Sequence, residues 1–325
     1  MSRCASYTHQ RRHQLLGLTA AFGIGVLVAV QSRVNGELGH RLADGIPAAL
    51  ISFGSGLLIL LVIAALLPGV RGGLGRVWRT IRRSAGGLRW YQCVGGLAGA
   101  FLVATQSVTV ATLGVAVFTV AVVGGQALSG LLVDRFGIGP GGKQSLTAVR
   151  VVGAALAVAA VALAVSDRLT HPSGLALAVL PAVAGIGTAV QQGINGRVAR
   201  TASFGPHGAV AAAVINFGVG TTALGAVFAV DLALRGAPRP LPSDPWLYVG
   251  GACGVAFISL AAAFVRVIGV FVLGLGTIAG QLVASVALDL TVPAADHPVT
   301  VTVMTGTVLA LAAVVVAALP GLRRT

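Results

Sequence analysis

Long apolar runs separated by short polar breaks dominate this chain. Each run is close to the length that an α-helix needs to cross a bilayer, about 17–25 residues. The breaks carry glycine, proline and charge, as in Gly69 to Arg89, Gly137 to Lys143 and Arg235 to Asp244. The pattern predicts ten transmembrane helices, at residues 15–36, 46–67, 90–108, 112–134, 147–166, 174–195, 207–231, 246–264, 268–289 and 299–319. The connections at 109–111 and 265–267 are so short that the flanking helices should form tight hairpins.

The pattern occurs twice along the chain. Residues 28–36 read VAVQSRVNG and residues 188–196 read TAVQQGING, so each copy ends an apolar run with a Gln and an Asn on one helical face. Further pairs match in the same order: SFGSG at 52–56 with NFGVG at 216–220, Trp90 with Trp246, and Gly125-Gln126 with Gly280-Gln281. Each copy holds five helices, an odd number, so the second copy must enter the membrane from the opposite side. This predicts two inverted repeats, an architecture of secondary transporters.

The duplication also predicts how the chain is divided. We expect a cytoplasmic N-terminal tail at 1–14, a first five-helix repeat at 15–166, a linker at 167–173, a second repeat at 174–319 and a cytoplasmic tail at 320–325. Arg11-Arg12 before an apolar run resembles a signal peptide. Because the second copy has the same run internally, we interpret it as the first transmembrane helix.

Composition supports a polytopic membrane protein. The chain is 56% hydrophobic and 9% charged, whereas an ordinary soluble domain is about 25% charged. Most of the 22 Lys and Arg residues fall in alternate loops, which predicts that both termini are cytoplasmic. The net charge of +14 is therefore explained by those loops, and we expect the bilayer and a small solute as partners, not nucleic acid. Nothing in the sequence indicates an oligomer.

Motifs for catalysis, metals and cofactors are not expected. Three cysteines make an odd set without a CxxC pair. The segment from Gly137 to Lys143 imitates a phosphate-binding loop, but Gln144 stands where Ser or Thr should hold magnesium. The predicted spans contain no Ser/His, paired Asp or metal-ligand set. We therefore expect neither an enzyme nor a bound cofactor.

Buried amides are the most informative polar groups. An amide in hydrocarbon without a partner costs several kcal/mol, so these side chains should face the bundle interior or a wet cavity. Interhelical hydrogen bonding and substrate contact are both open to them. The candidate substrate-binding residues are Gln126, Gln281, Gln31, Asn35, Gln191 and Asn195.

Two carboxylates end matching spans. Asp134 and Asp289 lie at the C-terminal ends of the fourth and ninth predicted helices, where a negative charge opposes the helix dipole. Each should have a compensating partner or full solvation. The functional alternative is a gate or a proton-coupling group. No Asp, Glu or Lys lies in the middle of any predicted span, so a buried proton relay is not visible.

These motifs together resemble the YdcZ-like branch of the drug/metabolite transporter superfamily. The likeness consists of Gln-x-x-x-Asn-Gly, a Ser-Phe-x-x-Gly span, a Trp with a glycine-rich span, a Gly-Gln-x-x-x-Ser span and a closing Asp. The resemblance implies a ten-helix inverted-repeat carrier of the inner membrane in a fused tandem form. The second copy departs from the pattern: Gly193 replaces Arg33, Arg197 replaces Glu37 and Asn216 replaces Ser52. Any site that the halves share should therefore be asymmetric.

The resulting expectation is an all-α integral membrane protein of ten helices in two inverted repeats. It would be a secondary transporter that moves a small organic metabolite or drug-like solute by alternating access, with export as one of the two directions open to it. The alternative is a non-transporting membrane scaffold or assembly partner. A membrane-embedded enzyme is a third hypothesis, which the lack of catalytic motifs in the spans disfavours.

Overall fold

The fold is helical throughout the part of the chain that the structure, a computed structural model, describes. That part comprises residues 2–83, 88–138, 143, 147–164, 166, 172–291 and 299–322, and it contains no strand. The helices are α1 (Ser2–Leu42), α2 (Gly45–Leu66), α3 (Pro68–Arg83), α4 (Gly96–Leu113), α5 (Val115–Phe136), α6 (Ala148–Ala164), α7 (Pro172–Ala202), α8 (Pro206–Arg235), α9 (Gly250–Thr291) and α10 (Val301–Leu322). Short 3-10 turns at Trp90–Cys93 and Pro245–Tyr248 lead into α4 and α9. The all-helical prediction is confirmed.

Several of these helices have the length and apolar composition to cross a bilayer. Among the described residues, five segments reach both limits: Gly45–Leu66, Trp90–Leu113, Val115–Val133, Leu177–Ala202 and Pro206–Arg235. Four shorter apolar segments lie within α6, α9 and α10, at Val151–Ala164, Gly250–Ala261, Gly276–Thr291 and Val301–Val316. The predicted count of ten spans stays a prediction.

Helix α3 corrects the prediction of a polar break between Gly69 and Arg89. Val70 and Val77 are buried and Leu74 and Ile81 are partly buried, at helical spacing, and they belong to or pack against the cluster that includes residues of α7 and α8. Interspersed glycines and arginines hide this stripe from a hydropathy average. The segment after α2 is therefore an amphipathic helix.

Helices α4 and α5 form a hairpin, and the reversal occurs at Gly114 and not at 109–111. Gly114 has a φ of +82°, a backbone conformation that glycine adopts most readily, and its N–H donates to the Val110 carbonyl. Ala98 of α4 and Val122 of α5 meet α7 at Gly187 and Gly185, two neighbouring positions. Since these contacts lie far apart along the chain and close together in space, α5 reverses the direction of α4, and both helices pack against α7.

Helix α9 differs from the predicted break at 265–267, because its helical backbone is continuous from Gly250 to Thr291. Its two ends nevertheless pack on the same part of α1. Phe257 and Ala261 contact the cluster of Ala21 and Ile24, and a Cβ on Gly276 would lie 2.6 Å from the Ala21 Cβ. A straight helix would separate residues 261 and 276 by about 22 Å. Helix α9 therefore bends sharply, and we name residues 250–261 its first arm and 276–291 its second arm.

Glycines allow the closest helix contacts. A Cβ on Gly25 of α1 would collide with the Thr277 carbonyl of α9, and one on Gly280 would collide with the Phe22 carbonyl of α1. The matching glycines of the other copy, Gly185 and Gly125, stand in the same relation to α5 and α7. Such small residues let backbones approach each other in membrane helix bundles.

Candidate functional site

Two phenylalanines from matching positions of the repeats meet in the buried interior. Phe53 of α2 and Phe217 of α8 stack with ring centroids 4.8 Å apart and ring planes 28° apart. Both are buried, at 4% exposure each. A Cβ on Gly56 would collide with the Phe217 ring, and one on the matching Gly220 would collide with the Phe53 ring. The contact is therefore reciprocal between the two copies.

An amide cluster from the second copy flanks this pair. The Asn216 Oδ1 of α8 accepts hydrogen bonds from two side chains of α7. The Gln191 Nε2 donates to it over 2.9 Å and the Asn195 Nδ2 over 3.1 Å. Gly99 of α4 packs against both this cluster and Phe53, since its Cβ would lie 3.2 Å from the Phe53 Cζ and 3.4 Å from the Asn216 Nδ2. The two predicted amides of this copy therefore converge on one carbonyl oxygen.

The first copy builds a different cluster from the same motif. The Asn35 Nδ2 donates to the Gln106 Oε1 over 2.8 Å, and the Gln106 Nε2 donates to the Ser32 Oγ over 3.0 Å. The Ser32 hydroxyl in turn donates to the Val28 carbonyl. These bonds form a directed chain from α1 to α4 and back, and in such a chain each bond polarises the next.

The remaining amide of the first copy bonds to the backbone of α9. The Gln31 Nε2 donates to the Gly250 carbonyl over 3.1 Å. Two other buried oxygens beside Gly250, the Asn35 Oδ1 and the Ser52 Oγ, have no hydrogen-bond partner. Asn216 occupies the position in the second copy that Ser52 occupies in the first. The Asn216 Oδ1 accepts two hydrogen bonds, whereas the Ser52 Oγ has no partner.

Gln106 is a member of this site that sequence reasoning missed. It is 1% exposed and bonds to two residues of α1, yet the position that matches it in the second copy is Ala261. The search for polar groups common to both copies therefore passed over it. A search for any amide inside a predicted span would have found it.

Gln126 and Gln281 lie apart from the two amide clusters. Gln281 is 5% exposed, and its backbone N would lie 2.5 Å from a Cβ on Gly25 of α1. Gly25 precedes Gln31 by six positions, which is about 9 Å along a helix. Gln126 is half-buried on α5, next to the Gly125 contact with α7. The structure thus groups four of the predicted amides around the phenylalanine pair, namely Gln31, Asn35, Gln191 and Asn195. Gln126 and Gln281 lie farther along the helix bundle.

Asp289 has the compensating partner that its position calls for. Its Oδ1 accepts from the Val115 N–H over 2.9 Å and its Oδ2 from the Ala116 N–H over 2.7 Å. These are the first amides of α5, where the positive end of the helix dipole favours an anion. The Arg33 guanidinium is also close enough to act on the Asp289 charge. Asp134 ends α5 at the matching place, but its side chain lies outside the described residues.

A second carboxylate group lies where α1 ends and α2 begins. Asp44 caps α2, since its Oδ1 accepts from the Ile46 N–H over 2.9 Å. The Asp231 carboxyl of α8 lies next to the Asp44 carboxyl and pairs with Arg235 over 3.3 Å. Burial, followed by the adjacent Asp231 carboxyl, raises the pKa of Asp44. Arg41 pairs with Glu37 over 2.8 Å and lies 3.8 Å from Asp244 in the same region.

The described residues contain no group of three or more His, Cys, Asp or Glu side chains that could hold a metal ion. The two clusters beside the phenylalanine pair consist of amides, hydroxyls and aromatic rings. Such groups can bind a solute by hydrogen bonds and by contact with its apolar surface.

Comparisons with known proteins bear on the fold and on the family. A solved crystal structure has a similar fold over 96% of this chain and 98% of that chain, with a TM-score of 0.55 and 18% sequence identity. No sequence among the curated proteins matches this chain. A family model described as "Putative inner membrane exporter, YdcZ" matches residues 16–163 and, separately, residues 176–316. Because these two matches together span most of the chain, the protein belongs to the YdcZ family of the drug/metabolite transporter superfamily.

Proposed function

We propose that this protein is a secondary transporter that moves a small organic solute across the inner membrane by alternating access between two inverted halves. The observation that carries the proposal is the reciprocal packing of matching residues around Phe53 and Phe217. Reciprocal contacts of Gly56 with Phe217 and of Gly220 with Phe53 are expected where a pseudo-two-fold axis passes between the two rings. Transporters of this architecture bind their solute close to such an axis.

The directions of the helices support the inversion. Asn35 of α1 lies beside Gly250 and Ile24 packs with Phe257, so α1 and the first arm of α9 run in opposite directions. The first arm matches α4 of the first copy. In an up-and-down chain α4 crosses in the same direction as α1, so the first arm of α9 is inverted relative to its own counterpart.

The second arm supports the same arrangement. Gly276 lies at Ala21 and Ala284 clusters with Ala29, so this arm runs parallel to α1. It matches α5, which in an up-and-down chain runs opposite to α1. Both arms of α9 are thus reversed with respect to the elements that they resemble.

The amide clusters are the binding groups of this proposal. Gln31, Asn35, Gln191 and Asn195 belong to the helices that would move when one half rocks against the other. The bond of Gln31 to the Gly250 carbonyl joins the two halves, so a change in their relative positions would break it directly. The bonds of Asn35, Gln191 and Asn195 each lie within one half, and a solute would compete for these amides with their present partners. Neutral amides suit a neutral or zwitterionic solute better than a multiply charged one. Gln126 and Gln281 would line the path on either side.

Asp289 would hold one end of the path closed. Its two bonds to α5 connect the second copy with the first. By symmetry, Asp134 would make the corresponding connection at the opposite end. Opening at one end would require breaking one connection while the other forms. Both termini would face the cytoplasm, as the distribution of arginine predicts.

A transport assay tests the proposal. Solutes that raise the thermal unfolding temperature of the purified protein are first selected, since binding to the folded state stabilises it. Flux of each selected solute is then measured in reconstituted vesicles with defined pH gradients. The expected result is saturable flux that falls at least tenfold in Asn216→Ala, because that change removes the acceptor shared by Gln191 and Asn195.

Thr222→Ala on the same helix is the matched control. Thr222 is exposed and bonds only to the Gly218 carbonyl one turn away, so this variant should keep the flux of the natural protein. Equal flux in Asn216→Ala and Thr222→Ala would remove the second-copy amides from the path. Solute binding without flux of any selected solute would contradict the transporter proposal itself.

A further inference from the structure

Helix α3 lies on the surface of the bundle, at the level where α2 leaves it. Only Leu67, in an extended conformation, separates α2 from α3. Gly73 packs against Ala202 and Ala211, and Gly69 packs against His207, so α3 covers the turn between α7 and α8. Helix α2 has 22 residues, a length of about 33 Å, and thus uses the full thickness of a hydrocarbon layer before α3 begins.

The outward side of α3 is strongly cationic. It carries Arg71, Arg79, Arg82 and Arg83, whereas the Arg76 guanidinium donates to the Ala202 carbonyl at the end of α7. The sequence has no Asp or Glu between Asp44 and Asp134. Residues 71, 78 and 82 share one flank of the helix, since they are spaced by seven and four positions. On that flank the Arg82 guanidinium lies over the Trp78 ring, 5.0 Å from its centroid. Stacking of this kind holds the cation at a fixed place beside the ring.

Apolar side chains around α3 are exposed at the same level. Trp78 is 59% exposed, Leu66 at the end of α2 is 73% exposed, and Phe204 in the α7–α8 turn is 90% exposed. Aromatic residues with one apolar and one polar side are enriched at the boundary between hydrocarbon and headgroups. The combination of an exposed Trp, neighbouring apolar residues and arginines fits a lipid headgroup layer better than bulk water.

We propose that α3 is a binding surface for anionic phospholipid headgroups, with Arg82 and its neighbours Arg79 and Arg83 contacting the phosphates and Trp78 entering the interface. Charge complementarity argues for this partner: five arginines in one helix, with no acid nearby in the chain, match a leaflet that carries negative lipid. The second copy has nothing equivalent. Its connection after α8 contains Arg239 and the acidic Asp244, and most of it is not helical. The surface therefore belongs to one side of the membrane only, and it is independent of which solute the protein moves.

Trp78 provides a direct readout. In the full chain with Trp90→Phe and Trp246→Phe, Trp78 is the remaining tryptophan. This protein in neutral detergent is titrated with short-chain phosphatidylglycerol, and the Trp78 emission is followed to saturation. The triple variant R79Q/R82Q/R83Q should bind more weakly, by about fivefold for each arginine lost. The triple variant R79K/R82K/R83K, which keeps the charge, should bind within about threefold of the parent, since Lys also binds phosphate as a point charge.

Three comparisons complete the test. Arg239→Gln, which removes an arginine from the other connection, should titrate like the parent. Phosphatidylcholine and free glycerol phosphate should each leave the Trp78 emission unchanged at concentrations that saturate with phosphatidylglycerol. Equal titrations for R79Q/R82Q/R83Q and the parent, or an equal response to phosphatidylcholine, would overturn the proposal. A response to glycerol phosphate alone would identify a phosphate site in place of a lipid surface.

Discussion

Phe53 and Phe217 occupy the same position in the two copies of this chain, and they stack on each other at 4.8 Å between ring centroids. Several contacts beside the rings are paired under the same exchange: Gly56 with Phe217 and Gly220 with Phe53, and Gly96 with the Asn216 carbonyl and Gly251 with the Ser52 carbonyl. The amides around the rings do not follow this exchange, because Asn216 and Gln106 have no amide counterpart. The molecule therefore combines a symmetric framework with an asymmetric set of polar groups.

The stacked rings should be coupled in stability. We expect Phe53→Ala and Phe217→Ala each to lower the free energy of unfolding by about 3 kcal/mol, as is typical for a buried phenylalanine. The double variant should lose less than the sum, because each single change already removes the shared contact. Unfolding of the purified protein in detergent, followed by circular dichroism in a double-mutant cycle, measures this. Strict additivity would show that the two rings do not stabilise each other.

Glycines at the helix contacts should not tolerate a methyl group. Gly280→Ala would place a Cβ against the Phe22 carbonyl, and Gly125→Ala would place one against the Ala182 carbonyl. Both variants should unfold at clearly lower temperature than the parent, since backbone atoms cannot move aside as a flexible side chain can. Matched controls are Gly23→Ala and Gly130→Ala, where nothing lies within 4 Å of the new Cβ. These two should be neutral or stabilising by up to about 1 kcal/mol, because alanine favours the helix.

Asp289 should stabilise the fold by capping the N-terminus of α5. Asp289→Ala removes both acceptors from the first amides of α5 and should cost about 1–2 kcal/mol of stability. Asp289→Asn keeps one carbonyl acceptor and should cost less. The thermal unfolding temperatures of the parent, Asp289→Asn and Asp289→Ala should fall in that order. Solute flux in Asp289→Asn then shows whether the charge of Asp289 affects gating. If Asp289→Ala were as stable as the parent, the carboxylate would not support α5.

Asp44 should make stability depend on pH. Its folded pKa lies above the ordinary value of 3.8, because burial and the Asp231 carboxyl disfavour the charged form. The folded protein thus holds the proton more tightly than the unfolded chain. The associated stabilisation is full below pH 3.8 and is lost as the pH rises through the raised folded pKa.

Asp44→Asn tests this dependence while keeping an acceptor for the Ile46 N–H. The variant should be more stable than the parent at pH 7, and its unfolding temperature should change less between pH 4 and pH 7. Asp44→Ala is the control, since it removes the charge and the cap together. An identical pH dependence in Asp44→Asn and the parent would assign the effect to another group.

Much of the helical framework could be predicted from the sequence, because a bilayer-length apolar run leaves few alternatives to a helix. The errors came from short-range geometry. Helix α3 was missed since Val70, Leu74, Val77 and Ile81 are diluted by glycine and arginine. The α4–α5 reversal lies at Gly114, where a positive φ permits the turn, and a hydropathy pattern does not report that conformation.

The candidate site could be predicted only as a set of residue types. The paired Gln and Asn motifs of α1 and α7 indicated where polar groups cluster. Which atoms they bond to depends on residues outside the motifs: Asn216 gathers Gln191 and Asn195, whereas Gln106 links Asn35 to Ser32. Such partners are set by helix packing, so the separate positions of Gln126 and Gln281 were not visible in the sequence either.

The inversion of the two copies is tested most directly by labelling matching connections from the two sides of the membrane. In a chain without its three cysteines, Arg79→Cys in α3 and Arg239→Cys in the connection after α8 provide single thiols at matching places. An impermeant thiol reagent is added to intact cells and, separately, to inverted vesicles. If the two copies are inverted, the thiol at 79 reacts only in inverted vesicles and the thiol at 239 only in intact cells. Reaction of both thiols from the same side would contradict it.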